Sequence, residues 1–351
     1  MANNQHRPRI VSAMPGPARL PAPRAAARST SLSILLVTVL AATLAGCGGG
    51  GGGGNNGENV APSSSPGQGV VPGNLPEPGA PTLTGNTALD GFNWLNYRRA
   101  LLGLSVLSRN SRVDIAAQGH SDYLRLNNTV SHDQTPGLPG FTGAKLTDRL
   151  AKANYGLTGG YAIGEVISAT TNPSGFYQAE ELITAIYHRF VMFEPIFKEV
   201  GTGASTLNNY TYFTADLTAT NGYGAGLGAG KMVNYPANNQ TKVPTTFSSD
   251  TESPDPVPNQ NDVGFPISVH SDGGREDGGV VVRSFTVAPR GGSVMNTLLL
   301  SHATDSHTNE TGAAIIPLTP LRRGTIYDVS FSGTVGGVAT TRTWSFTTTT
   351  Q

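Results

Sequence analysis

The stretch SRVDIAAQGHSDYLRLN, residues 111–127, is typical of an amphipathic helix. Ser111 is a residue type that caps helices, because its side-chain oxygen can accept from a free backbone N–H group. Small and apolar residues then recur at helical spacing. One face carries Val113, Ala116, Ala117, His120 and Leu124. The pattern predicts a helix over 111–127 that buries this face.

The flanking sequence predicts two more helices and then strands. Apolar residues at helical spacing predict a helix over 89–102 and another over 179–191. After Pro195, short β-type segments occur at 199–204 and 210–217. Helices that lead into strands favour a layered α/β sandwich over residues 85–233.

The C-terminal part predicts a different fold. Residues 233–244 form a polar join, and helical spacing disappears after it. Alternating patterns at 280–287, 325–331 and 343–347, with a hairpin signal at Gly336-Gly337, predict a β-sandwich over 245–351. Residues around Tyr327 and Trp344 resemble bacterial immunoglobulin-like modules. The expected class is therefore α+β: an α/β/α sandwich followed by an all-β, immunoglobulin-like sandwich.

The N-terminal segment has the pattern of a bacterial lipoprotein leader. Residues 1–46 contain five arginines, no acidic residue and an apolar run too short for an ordinary spanning helix. The run ends in Leu44-Ala45-Gly46-Cys47, which resembles a lipobox. The resemblance implies cleavage before Cys47 and lipidation of Cys47. An uncleaved anchor or an incidental cysteine is the alternative, and Met1 and Met14 are alternative starts.

Composition restricts the chemistry available to the chain after the leader. Cys47 is the single cysteine, so neither an internal disulfide nor a CxxC motif is possible. Residues 47–84 begin with Cys47 and a run of seven glycines and predict a flexible tether, roughly 30–35 Å long as a coil. Without the leader the chain has 18 basic and 23 acidic residues, a net charge of −5. This balance argues against electrostatic nucleic-acid binding.

Several fragments occur in the order seen in the CAP superfamily, which includes SCP and pathogenesis-related-1 proteins. No single fragment is specific, but seven succeed one another between residues 95 and 203. They are Leu95-Asn96 to Leu107, Ala116-Ala117-x-x-His120-Ser121-x-Tyr123-Leu124, Ser131-His132, Asp148-Arg149, Gly164-Glu165-Val166-Ile167, His188-Arg189 and Glu199-Val200-Gly201-x-Gly203. The region is similar to a bacterial-type CAP domain, and the resemblance implies a surface cleft.

The resemblance also implies site residues. In this family two histidines and two glutamates line the cleft, and His132, Glu165 and His188 match three of those positions. Valine replaces the asparagine that usually comes after the first glutamate. The second glutamate has no match, since Ala185 stands at its position; Glu181 lies two helical turns before His188 and is a candidate by geometry only.

Two histidines and a carboxylate fit two chemistries. They could hold a divalent metal such as zinc, with His132 and His188 as ligands. They could also act as general acid and base, with the carboxylate orienting an imidazole. Ser131 is a weak nucleophile candidate, because adjacency to His132 in sequence supplies no triad geometry. The remaining candidates are interpreted as structural or solvated: His120, Arg149 and Arg189 as structural, and His270, His302 and His307 as solvated.

Three functions remain open from the sequence. The first is an envelope-anchored module that binds a lipid or cell-wall ligand in the cleft and is held by Cys47. Gly48 replaces a retention aspartate, which favours the outer over the inner membrane. The second is a metal-assisted hydrolase of envelope peptides or glycans, with zinc as the candidate cofactor. The third is a structural or adhesion protein. Enzymatic activity is undecided and is the less favoured interpretation.

Overall fold

A computed structural model describes residues 9–13, 79–272 and 278–350. Cys47 and most of the predicted leader and tether lie outside these residues. The helices are α1 (Thr87–Leu101), α2 (Ser111–Asn127), α3 (Leu146–Lys152), α4 (Gly175–Thr184), α5 (Ile186–Met192) and a short 3-10 turn, Ser249–Thr251. The strands are β1 (Arg9–Ala13), β2 (Ser108–Arg109), β3 (Ala162–Thr170), β4 (Glu199–Leu207), β5 (Tyr210–Ala219), β6 (Val233–Tyr235), β7 (Gln240–Val243), β8 (Thr246–Ser248), β9 (Glu252–Ser253), β10 (Asp262–Gly264), β11 (Ile267–His270), β12 (Val280–Pro289), β13 (Thr297–Ser301), β14 (Gly312–Pro317), β15 (Ile326–Val335) and β16 (Val338–Thr348).

The first part of the chain is a three-layer sandwich. Its sheet has the order β2-β4-β5-β3-β1-β9, with antiparallel pairing of β5 to both β3 and β4. Helices α2 and α3 cover the face that carries Ile163 and Ile167. Helices α1, α4 and α5 cover the face that carries Gly164 and Val166. The predicted α/β/α sandwich is therefore confirmed.

Two glycines explain how α2 approaches the sheet so closely. A Cβ atom at Gly201 or Gly203 would lie 2.1 or 2.3 Å from backbone atoms of α2. In return, Asp114 and Gln118 of α2 accept hydrogen bonds from backbone N–H groups of β4 at 2.9 and 3.1 Å. The helix thus covers the outer edge of β4, and only glycine fits at these two positions.

The prediction of one helix over 179–191 is wrong, whereas the other two helices are confirmed within two residues of their expected bounds. Ala185 has an extended conformation, φ −70° and ψ 124°, which separates α4 from α5. The N-terminus of α5 is capped by a residue that is distant in the sequence. The Glu252 carboxylate accepts from the backbone N–H groups of Ile186 and Tyr187, at 2.8 and 2.7 Å. Helical periodicity contains no sign of a cap that comes from so far along the chain.

The second part of the chain contains two four-stranded sheets. Their orders are β13-β14-β11-β6 and β12-β15-β16-β7, and their shared core contains Phe331, Trp344 and Phe346. The predicted hairpin is confirmed: Gly336 and Gly337 join β15 to β16, and both have the positive φ that a tight two-residue turn requires. The polar join predicted over 233–244 contributes strands β6 and β7, one to each sheet.

The two parts pack against each other as one compact unit. Arg189 of α5 donates to the Pro266 carbonyl oxygen at 2.7 Å. Thr311 donates from its hydroxyl to Glu194 Oε2 at 2.6 Å. A Cβ atom on Gly312 would lie 2.7 Å from the Phe190 ring, so this glycine allows the sandwich to approach α5. The junction is therefore a packed interface with buried polar contacts.

Strand β1 comes from the segment that resembles a leader in the sequence. It pairs antiparallel with β3 over Arg9–Ala13 and parallel with β9 at Ile10 and Val11. Among the helices of residues 79–272 and 278–350, none has the length and apolar character needed to cross a membrane.

Candidate functional site

Glu165 lies at the centre of a buried polar cluster between the sheet and helices α2 and α3. Its backbone is fixed by pairing with β5, and its side chain is 2% exposed. Oε1 accepts from His132 Nδ1 at 2.8 Å, and Oε2 accepts from Arg149 Nη2 at 2.5 Å. Both carboxylate oxygens of Glu165 are therefore already engaged by neighbouring side chains.

Arg149 connects the carboxylate to the loop that carries His132. It projects from α3, is fully buried and also donates from Nη1 to the His132 carbonyl oxygen at 2.9 Å. One guanidinium therefore fixes both the backbone of His132 and the carboxylate that its ring contacts. The sequence-based interpretation of Arg149 as a structural ion-pair residue agrees with these contacts.

Glu165 is ionised. Burial opposes a negative charge on it, but the attraction of Arg149, the hydrogen bond from His132 and, at the acidic pH where Glu165 titrates, the charge of protonated His120 hold its pKa well below the usual range. An ionised carboxylate only accepts hydrogen bonds, so the shared proton belongs to His132 Nδ1. In neutral His132, Nε2 is then the bare nitrogen with a free lone pair. The His132 side chain is 16% exposed, and within the described residues its Nε2 has no hydrogen-bond partner.

His120 supports this arrangement as a neutral, buried side chain. Burial lowers its pKa to about 4. Its Nε2 donates to the Ser131 carbonyl oxygen at 2.9 Å, and its Nδ1 accepts from Gln134 Nε2 at 2.9 Å. The Gln134 amide is oriented in turn by the Thr142 N–H group, which donates to its Oε1 at 2.7 Å. The structural interpretation of His120 is confirmed: it fixes the loop on which His132 stands.

Asp216 is a second carboxyl group of the cluster. It lies on β5 directly opposite Glu165 and is fully buried. Burial, together with the charge on Glu165, raises the pKa of Asp216 well above its usual range. The raised pKa favours the protonated form, which can donate to Glu165; as an ionised carboxylate, Asp216 has no donor to either oxygen within the described residues. Two adjacent buried carboxyl groups share one negative charge in this way.

His188 lies in a different environment. It is completely buried, and its Nδ1 hydrogen-bonds Glu252 Oε1 at 2.9 Å. The same carboxylate caps α5. The structure thus pairs His188 with Glu252, whereas His132 is paired with Glu165.

Glu181 also remains apart from the cluster. It lies on α4, where it hydrogen-bonds Tyr177 on the same helix. Burial raises the pKa of Glu181 to about 7. Its contacts are thus with its own helix, and the helical spacing that suggested a place near His188 does not bring it to His132 or Glu165.

The residues do not fit the zinc site suggested by the sequence. No group of three His, Cys, Asp or Glu side chains in residues 79–272 and 278–350 is arranged to hold a metal. Glu165 is held by a guanidinium, which repels a cation, and His188 is paired with Glu252.

A separate groove of about 720 Å³ runs along α2 and β4. Asp114, Gln118 and Asp122 line part of this groove, and the Glu165 cluster does not contribute to it.

Two carboxyl groups that complete these arrangements, Asp216 and Glu252, were missed from the sequence. Asp216 could have been identified from the sequence, because the alternation of β5 places it on the same face as Thr214, under α2. No local sequence pattern around Glu252 indicated its role.

The interpretation of His270 as solvated is wrong, since His270 is 2% exposed and hydrogen-bonds the Ser268 hydroxyl at 2.9 Å.

Comparisons with solved structures give two partial likenesses. The first is an extracellular protein containing an SCP domain from Bacillus anthracis, with 24% identity, 38% of this chain covered and a TM-score of 0.32. The second is an outer surface protein from Borrelia burgdorferi, with 15% identity, 37% of this chain and 89% of that chain covered and a TM-score of 0.31. This chain spans 40% of the length of the Bacillus protein. A search of curated proteins finds no match.

The match to a family model is specific to one part of the chain. Residues 92–217 match the CAP family, described as the cysteine-rich secretory protein family. These bounds begin within α1 and end within β5, so they enclose His132, Arg149, Glu165 and Asp216. Residues 92–217 therefore form a CAP domain of the cysteine-rich secretory protein family, in a chain that continues into a β-sandwich.

Proposed function

We propose that this chain is a bacterial envelope lipoprotein whose CAP domain binds a lipid or cell-wall ligand at His132. The lipobox at Leu44–Cys47 and the glycine run after it support the anchor. Lipid on Cys47 would hold the protein at a membrane, and the tether would leave the CAP domain free to reach its ligand. Gly48 in place of aspartate favours the outer membrane.

The observation that carries the binding proposal is the state of the His132 ring. Glu165 accepts a hydrogen bond from the Nδ1–H group and thereby fixes the orientation of the ring. Nε2 is then a shielded acceptor, and no other group in the described chain uses it. The ring is 16% exposed but Nε2 itself is buried, so a ligand hydroxyl or amide N–H that donates to Nε2 must displace the atoms that cover it. A hydrogen bond at such a sheltered site is stronger than one in water.

The test is a ligand screen against the purified protein, followed by His132→Ala. The probes are phosphatidylglycerol vesicles, a sterol, and soluble muropeptides, with binding followed by calorimetry and by the His132 ring signals in NMR. We expect one class to shift those signals and to bind at least about tenfold more weakly to the variant, as the loss of one sheltered hydrogen bond predicts. His302→Ala is the matched control, because His302 is half-exposed in the β-sandwich. Equal binding to all three proteins would refute the proposal.

The anchor has its own test. Cys47→Ser removes the sulfur that the lipid needs. We expect wild-type protein to incorporate labelled fatty acid and to partition into detergent, and the variant to do neither. Unlabelled wild-type protein would contradict the anchor without affecting ligand binding at His132.

A second candidate function is hydrolysis, with His132 as general base. A carboxylate that holds Nδ1–H and leaves Nε2 bare is the arrangement that lets an imidazole remove a proton from water. Ser131 does not complete a triad: its hydroxyl accepts from the Asp133 N–H group, and its carbonyl oxygen binds His120. Release of fragments from peptidoglycan by wild type but not by His132→Ala would favour this function over binding alone.

The β-sandwich supports a role as spacer or adhesion module, in keeping with its resemblance to immunoglobulin-like domains. It packs on α5 through Arg189 and Gly312. A structural role for the whole protein predicts that His132→Ala leaves the envelope phenotype unchanged, whereas loss of the anchored protein alters it.

A further inference from the structure

One position in the CAP sheet is filled by a segment that the proposed maturation removes. Strand β1 (Arg9–Ala13) lies between β3 and β9 and pairs with residues 165–169 of β3 and with 252–253 of β9. Cleavage before Cys47 would separate residues 1–46 from the rest of the chain. After that cleavage, only noncovalent contacts could hold β1 in the sheet.

The space left by β1 has the dimensions of one strand. Neighbouring strands lie about 4.8 Å apart, so β3 and β9 are two spacings, or about 9.6 Å, from each other. Helix α5 packs against both β1 and β3 and closes one side of the position. With β1 in place the residues of β3 are all buried, and removal of β1 would uncover backbone groups along one edge of β3. Backbone N–H and C=O groups at such a depth are rarely left without partners.

We propose that this position between β3 and β9, which Arg9–Ala13 fills in this structure, is open in protein that begins at Cys47 and is then a binding site for an extended polypeptide strand in trans. The inference rests on the lipoprotein maturation proposed above. Recognition is through the main chain, antiparallel to β3, by the same addition of a strand to an open sheet that other peptide-binding domains use.

The register indicates what a bound peptide would influence. Ala13 lies opposite Glu165, so the C-terminal end of the strand is one spacing from the backbone that carries the Glu165–His132 pair. At the other side, β9 contains Glu252, whose carboxylate caps α5. A strand in this position therefore connects the CAP sheet to the segment that leads into the β-sandwich.

The probe is a fluorescent peptide with the sequence of residues 6–16, added to protein purified from membranes. Its N-terminus is first determined by mass spectrometry. For protein that begins at Cys47 we expect saturable binding by anisotropy, and hydrogen exchange over residues 165–169 that slows several-fold when the peptide is present. Without it, fast exchange is expected at those amides of residues 165–169 that point to β1, whereas the alternate amides stay paired with β5.

The matched control is the same peptide with N-methyl groups at Val11 and Ser12. Alternate residues of a strand face opposite neighbours, so one of these N–H groups must point to β3 and the other to β9. We expect the methylated peptide to bind about tenfold more weakly or worse. Equal binding of both peptides, or exchange over 165–169 that is slow and unaffected by peptide, would overturn the proposal.

The two proposals can fail separately. Protein that retains residues 1–46 would refute the lipoprotein maturation but leaves the same assay in place. In that protein, displacement of β1 by the fluorescent peptide, seen as slow saturable uptake, supports an exchangeable strand position. No uptake would show that β1 is a permanent strand and would overturn the inference.

Discussion

Two histidine–glutamate pairs of the described CAP region and junction have nearly the same geometry and different surroundings. His132 Nδ1 lies 2.8 Å from Glu165 Oε1, and His188 Nδ1 lies 2.9 Å from Glu252 Oε1. The His132 side chain is 16% exposed, whereas that of His188 is 0% exposed. Glu165 is held by a guanidinium, while Glu252 caps a helix. The pair itself therefore does not identify a functional site; the exposure of the histidine side chain and the other partners of the carboxylate do.

The largest effect is expected from breaking the structural pair with Glu252→Ala. This variant leaves the first backbone N–H groups of α5 and His188 Nδ1 without the carboxylate that binds them, all in a buried place. Losing a helix cap and a buried charged acceptor together predicts a loss of about 4 kcal/mol in the free energy of unfolding. Urea denaturation followed by circular dichroism measures it.

The control for this variant is Asp262→Ala, which removes an exposed carboxylate that accepts from the Ser248 hydroxyl. We expect a change within about 0.5 kcal/mol. Similar losses for the two variants would mean that Glu252 does not stabilise the junction. The result also bears on truncation: a chain that ends before residue 245 lacks Glu252, so it would not report on the CAP domain as it is in the whole protein.

The next effect tests the other pair through its guanidinium. Arg149→Met leaves the buried Glu165 without its cation, which predicts a loss of about 3 kcal/mol at neutral pH. The pKa of Glu165 is lowered in the folded wild type, so its contribution is present above the unfolded pKa, about 4.3, and lost as pH falls through the folded value. The deficit of the variant should therefore shrink below about pH 5. A deficit independent of pH would show that Arg149 acts by packing alone.

The sequence was informative where one element carries its own pattern. Helix α2 was predicted with its exact bounds from apolar spacing over 17 residues, but the residue that caps it is Asn110, not Ser111 as predicted. The Gly336–Gly337 hairpin was likewise predicted from its own pattern. Family resemblance placed His132 and Glu165, and the structure brings their side chains into contact.

The rest depended on contacts between distant residues. His188 matches a family position, yet its partner is Glu252, 64 residues further on and past the predicted end of the CAP region. The break at Ala185 has the same origin. Asp216 becomes part of the site only through the register of β5 against β3. Local periodicity contains none of this information, since a cap or cross-strand neighbour is chosen by the fold as a whole.

A smaller effect is expected from a buried carboxyl group that has no histidine partner in the described structure. Glu194 hydrogen-bonds the Thr311 hydroxyl, and burial raises its pKa to about 7. The folded state therefore keeps a proton that the unfolded chain releases near pH 4.3. Its contribution is fully present below that pH and is lost as pH rises through about 7. Glu194→Gln removes this titration and keeps an acceptor for Thr311.

We expect wild type to lose about 2 kcal/mol relative to Glu194→Gln between pH 4.5 and 8, measured by urea denaturation at several pH values. Glu181 also has a raised pKa, so both proteins should keep a residual slope. Parallel profiles for the two proteins would show that Glu194 is ionised in the fold. In that case the carboxylate would have to be satisfied by its neighbours as Glu252 is.

The smallest effect on stability is expected at the site proposed to be functional. His132→Ala removes a ring whose Nε2 has no hydrogen-bond partner within the described chain, and Glu165 keeps Arg149 and Asp216. This predicts a loss below about 1 kcal/mol, against about 2 kcal/mol for the fully buried ring in His188→Ala. Ligand binding should respond in the opposite order, with a large loss for His132→Ala and little change for folded His188→Ala. If both variants lose stability and binding in proportion, the two pairs have the same structural role, and the partial exposure of the His132 side chain does not mark a binding site.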